Sequence, residues 1–246
     1  MTHDSEGKFR PLASADSGGE AASPLGGDSA GCGSEHGLRG GTGAAGEDSR
    51  TTRPDRATRF VETTRGILSY QELAPLLAER VTLAEAAIYS GEFSECFLDE
   101  NLILAIHHRI CMDLVPDWAG RWRSVEVRVG NLHPAQSFLL PMLMRDYTLD
   151  LRARLDGATG GDETALLECL AFAEGRFLTI HPFQDFNGRT IRLLLTELLR
   201  RLDLPMVSLA PEGEEVRQCY FAALEAADVH DWRPLMKVWE GRFVGE

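Results

Sequence analysis

Six residues with chemical potential, His181, Asp185, Asn187, Gly188, Arg189 and Arg192, fall within the single stretch His181-Pro182-Phe183-Gln184-Asp185-Phe186-Asn187-Gly188-Arg189-Thr190-Ile191-Arg192. An imidazole takes up a proton near neutral pH, and a lone carboxylate can hold a hard cation. Pro182 disfavours the α region at His181, so a largely apolar helix over Asp162–Ile180 should stop there. A second helix opens at about Gly188 and runs to Leu202. Arg189 and Arg192, three residues apart, share one face of its first turn. Cations there meet the positive end of the helix dipole, a poor placement unless an anion joins them. Exposed N–H groups with two guanidinium groups make a site for phosphate oxygens. The loop has no Walker-type glycine loop with Lys-Ser/Thr and no Ser or Cys nucleophile beside the imidazole. What remains fits transfer of a phosphate-containing group to an acceptor hydroxyl, by positioning and charge stabilisation.

The elements that must hold this loop read mostly as helices. Residues 1–56 are rich in Gly, Ser, Ala, Asp and Glu without periodicity, and read as a disordered tail before a domain over 57–246. Thr58–Leu68 reads as a short helix. Ser69-Tyr70-Gln71-Glu72 resembles a capping box, followed by Leu73, Leu76, Leu77 and Val81 at helical spacing. Leu83–Tyr89 continues that helix or forms a neighbour, and Gly91 ends the segment. Asp99–Met112 forms another, with Leu102, Ile103, Ile106 and Ile110 inward; its adjacent His107 and His108 point about 100° apart and read as core or surface histidines. Phe138–Leu155, Glu212–Ala227 and Trp232–Phe243 supply further helices. Ser124–Asn131 alternates apolar and charged residues before a Gly130-Asn131 turn, so residues 125–137 read as a small β-hairpin.

A net charge of −13 argues against general nucleic-acid or membrane binding. No run of about 18 apolar residues marks a span, and the N-terminus shows no secretory h-region. Five cysteines without C-x-x-C spacing suggest reduced thiols in a cytoplasmic setting.

The segment from His181 to Arg192 resembles the signature of the Fic family, H-P-F-x-D/E-G-N-G-R-x-x-R, with a departure at Phe186. Val115-Pro116-Asp117-Trp118-Ala119-Gly120-Arg121, closed by Arg123, is similar to the family's corner before its active-site flap. Arg217, Tyr220, Ala223 and Leu224 resemble its R-x-x-Y-x-x-A-L segment. The resemblance implies an all-α Fic fold of about eight helices with a β-hairpin flap. It implies AMP transfer from ATP to a Ser, Thr or Tyr hydroxyl of a target protein, with release of pyrophosphate. In these terms His181 is the base, Asp185 holds Mg2+, and Phe186, Asn187, Gly188, Arg189 and Arg192 contact the nucleotide, Arg192 also acting in catalysis. Val127, Arg128 and Val129 of the flap would pair with the target. Gly188, where phosphate-transferring Doc-like members carry Lys, favours AMP. Phe186 could reshape the pocket toward another phosphate-containing group.

The alternatives within this resemblance are a restrained or non-catalytic module that binds nucleotide and a partner peptide, and removal of AMP from a modified protein. Many members are restrained by a helix reading S/T-x-x-x-E-G/N. Thr58–Thr63 matches imperfectly, which makes Glu62 a candidate partner for Arg192; Ser208–Gly213 matches by letter but contains Pro211. A separate antitoxin-type inhibitor, a homo-oligomer and export as an effector are the other arrangements that the resemblance allows.

Overall fold

The computed structural model describes residues 60–158 and 161–245; the tail reading of residues 1–56 lies outside them. Chain order runs β1 (Phe60–Thr63), β2 (Gly66–Ser69), α1 (Tyr70–Tyr89), α2 (Glu100–Cys111), a 3-10 turn (Ser137–Leu139), α3 (Leu140–Ala158), α4 (Glu163–Ile180), α5 (Asn187–Arg201), α6 (Glu214–Asp228) and α7 (Arg233–Val244). The all-α expectation therefore holds, with seven α-helices among the described residues. Three helix starts follow directly from side-chain chemistry. Ser69 and Glu72 form the reciprocal capping box of α1, and Asp99 and Asp162 each accept two backbone N–H groups at the starts of α2 and α4.

Two expectations fail. The helix expected over Thr58–Leu68 is, where described, an antiparallel hairpin pairing Phe60 with Ser69 and Thr63 with Gly66. β-Branched Val61, Thr63, Thr64 and Ile67 favour extended backbone, and Gly66 turns at φ +98°. The turn is fixed from outside, since Thr64 donates its N–H to the Leu114 carbonyl at 2.9 Å. Glu62 consequently stands exposed on a strand, not on a helix. The second failure is the flap. Residues 125–137 contain one isolated bridge, Val129 with Leu132, across the expected Gly130-Asn131 turn. Below it the stems do not zip up, because a guanidinium between them takes their carbonyls, as described below.

The core is organised on α4, whose residues are buried on nearly every face. Leu193, Leu194, Leu195, Leu198 and Leu199 of α5 pack beside it, and Leu224, Ala227, Leu235 and Trp239 close the other side. Glu174 of α4, fully buried, accepts from the Tyr220 hydroxyl at 2.7 Å and from Arg242 at 2.7 Å. One carboxylate thus ties α4, α6 and α7 together. It is paired and hydrogen-bonded, as a buried charge must be.

Candidate active site

The loop between α4 and α5 begins and ends in left-handed backbone, at His181 (φ 53°) and Phe186 (φ 64°). Histidine tolerates this region; a phenylalanine there costs about 1–2 kcal/mol. Phe186 is 3% exposed, its ring 5.4 Å from that of Trp118. Burying a phenylalanine side chain contributes about 1.5–3 kcal/mol, enough to offset the backbone. The departure from the family signature is therefore accommodated by packing beneath the loop.

Asn187 locks the bend. Its Oδ1 accepts the Phe183 N–H and its Nδ2 donates to the Phe183 carbonyl, both at 2.9 Å. The Asn187 side-chain amide is thus occupied within the loop. Asp185, 4% exposed, accepts the Phe186 N–H through Oδ1 at 2.7 Å. The His181 ring, 2% exposed, places Nδ1 3.3 Å from the Leu178 carbonyl. A carbonyl can only accept, so Nδ1 carries the proton and Nε2 is the basic nitrogen.

His107, on α2, holds the loop from below. It is fully buried, stacked on Phe183 at 3.7 Å, and accepts the Gly120 N–H through Nδ1 at 2.9 Å. Its Nε2 therefore donates to the Asp185 carbonyl, 3.2 Å away. Gly120 is required at this corner: its φ is +65°, and a Cβ would lie 2.8 Å from the His108 Cβ. His107 is the core histidine and His108 the surface one, as expected, but the span from corner to loop was not visible in the helix pattern.

Burial pushes the His107 ring down to about 3 from an ordinary 6.5, against the pull of its bond to Asp185. The folded chain then refuses a proton that the unfolded chain accepts. Its contribution is complete above pH 6.5 and is lost toward pH 3, at up to about 1.4 kcal/mol per pH unit. Urea midpoints measured from pH 7 to 4.5 should fall less steeply in His107→Gln, which keeps a donor and an acceptor but does not titrate. Equal slopes would show that His107 does not govern acid stability.

The two motif arginines differ. Arg189 donates to the Tyr70 hydroxyl at 2.7 Å, its guanidinium 5.5 Å from that ring. Tyr70 directly follows the α1 cap, a placement that carried no sequence signal for a role in the site. Arg192 is half-buried, and among the described residues it makes no ion pair with a carboxylate. Burial lowers its proton affinity, with Tyr220 and Glu174 opposing through space. The inhibitory pairing of Glu62 with Arg192 is thus not formed.

Beside Arg192, α5 opens without a side-chain cap. A Cβ on Gly188 would meet only the Arg192 Nη1, at the ordinary distance of 3.6 Å. Neither backbone nor packing demands glycine at 188, so its smallness matters only to something arriving from outside. In the flap, Val129 is buried, Val127 half-buried and Arg128 exposed, its Nε donating to the Gly130 carbonyl at 2.9 Å. Arg123, singled out in the sequence only as the end of the corner pattern, is buried between flap and loop.

The family model for Fic/DOC proteins matches residues 97–199, which include the corner, the flap and the whole loop. Over that span the chain is similar to a Fic domain. It is 33% identical over 155 residues to protein adenylyltransferase fic-1 of Caenorhabditis elegans, covering 61% of this chain and 28% of that protein. Protein adenylyltransferase Fic of Culex quinquefasciatus is 31% identical over 144 residues, covering 57% and 27%. The chain thus spans little more than a quarter of these relatives. Among solved structures, BepC of Bartonella tribocorum, a VirB-translocated effector with bound AMPPNP, superposes with a TM-score of 0.60 at 16% identity, covering 76% of this chain and 93% of that one. A Fic domain-containing signaling protein of Bacteroides thetaiotaomicron gives 0.57 at 22%, covering 69% and 68%. The Fic domain fold is thereby shared well beyond sequence similarity.

Proposed function

We propose that this Fic domain is a protein adenylyltransferase, moving AMP from ATP to a Ser, Thr or Tyr hydroxyl and releasing pyrophosphate. The observation that carries the reading is Arg192, a half-buried guanidinium without a carboxylate partner among the described residues, beside an uncapped helix start and a glycine that nothing in the protein requires. A phosphate chain satisfies all three at once. The names of the relatives and the AMPPNP bound by BepC support the same nucleotide.

His181 Nε2 would accept the proton of the attacking hydroxyl as its oxygen bonds to the α-phosphorus. Arg189 and Arg192 would hold the departing phosphates, and the flap would orient the target. Among the described residues no cluster of three or more His, Cys, Asp or Glu side chains suits a metal. A single hard oxygen ligand, the Asp185 carboxylate, fits a Mg2+ ion that completes its shell with phosphate oxygens. When bound, that ion supplies positive charge to the phosphates.

Incubating the chain with Mg2+, cell lysate and ATP labelled at the α- or the γ-phosphate tests the reaction. Protein labelled from the α-position alone is expected. Label from the γ-position would mean phosphate transfer, and none from either would mean a non-catalytic module. The burial of His181 favours restrained activity as the second reading, since an acceptor must enter along the flap. Glu62 is not the restraint: Glu62→Gly should leave self-labelling unchanged, and a rise would return it to that role.

A further inference from the structure

Arg123 is 3% exposed and lies where the flap meets the catalytic loop. Its Nε donates to the carbonyl of His181 at 2.8 Å. Nη1 donates to the Val125 carbonyl at 3.0 Å, on the first stem of the flap. Nη2 donates to the Ala135 carbonyl, on the second stem. The backbone adds a further tie, Arg123 N–H to the Pro182 carbonyl at 2.9 Å. The stems are stapled once more by Glu126, which accepts the Ser137 N–H and hydroxyl, both at 2.9 Å, and lies 3.5 Å from Arg123.

We propose that Arg123 is a positioning residue that fixes both stems of the flap to the backbone of His181, so that an acceptor segment docked on the flap arrives in register with the imidazole. The role rests on the adenylyltransferase reading above. A guanidinium suits it because its planar fork sends donors in diverging directions at once. Lysine concentrates its donors at one point and cannot span the His181, Val125 and Ala135 carbonyls. The same occupation explains the open flap. The guanidinium stands between the stems and takes the Val125 and Ala135 carbonyls, where a closed ladder would otherwise pair them with the opposite stem.

The test separates target positioning from nucleotide binding. Wild type, Arg123→Lys and Arg123→Met are compared for AMPPNP affinity and stoichiometry by calorimetry, and for transfer of α-label from saturating ATP to lysate proteins. Both variants should bind AMPPNP within about twofold of wild type, one per chain, while transfer falls on the order of 100-fold, the cost of about 1 Å of misplacement at the reacting atoms. Loss of transfer in step with loss of AMPPNP stoichiometry would reduce Arg123 to a folding residue. Undiminished transfer by Arg123→Lys would overturn the proposal. If the Arg123 variants do not fold, Glu126→Ala carries the test: it releases the second stem from an exposed side chain and should lower transfer several-fold with AMPPNP binding intact. Unchanged transfer there refutes the clamp. No transfer by wild type would overturn the adenylyltransferase reading itself and this role with it.

Discussion

Replacing His181 with alanine or asparagine lowers transfer of α-label from ATP by about 10²–10⁴-fold, the range set by loss of a general base. The two variants separate chemistry from backbone. His181 sits at φ 53°, where alanine costs about 1–2 kcal/mol and asparagine much less. His181→Asn should therefore melt near wild type, while His181→Ala melts lower, yet both should be equally inactive. The geometry gives the reason: Nδ1–H is given to the Leu178 carbonyl, so Nε2 is the one proton-accepting atom that the ring offers. An asparagine variant retaining a tenth or more of wild-type transfer would remove His181 from the reaction.

Arg192→Met should have effects of opposite sign on function and fold. Two charge-assisted hydrogen bonds to phosphate, each worth about 1.5–3 kcal/mol, are lost, so AMPPNP affinity and transfer should fall about 10²-fold or more. Stability should hold or rise, because among the described residues no carboxylate pairs directly with the half-buried guanidinium, and burial disfavours its charge more than Tyr220 and Glu174 favour it through space. Calorimetric titration with AMPPNP and a thermal melt read both. A lower melting temperature with unchanged AMPPNP binding would make Arg192 a structural cation and leave the phosphate site without its main anchor.

Much of this arrangement was legible in the chain because its signals are local. Ser69, Asp99 and Asp162 cap helices that begin next to them, and Pro182 ends the helix it follows. The polar loop was recognisable because its residues are neighbours. What escaped depends on distance. Arg123 reaches the carbonyl of a residue 58 positions away, and His107 one that is 78 away; backbone acceptors leave no trace in side-chain spacing. Tyr70 meets Arg189 across 119 residues. The Phe60–Ser69 hairpin escaped for another reason: a segment of ten residues gives too few turns of pattern to separate periods of 2 and 3.6. The bond of the Asn187 amide back to Phe183 also left no trace in the sequence, since both of its partners are backbone groups.

The ring of Phe186 has a consequence for energetics. Glycine at this position would let the bend wander before ligand arrives, and freezing it would then count against binding. Here the aromatic wedge against Trp118 settles that freedom when the chain folds. On the adenylyltransferase reading proposed above, a nucleotide would meet a cradle already set, and its association should be spared the entropic toll that a supple glycine hinge imposes.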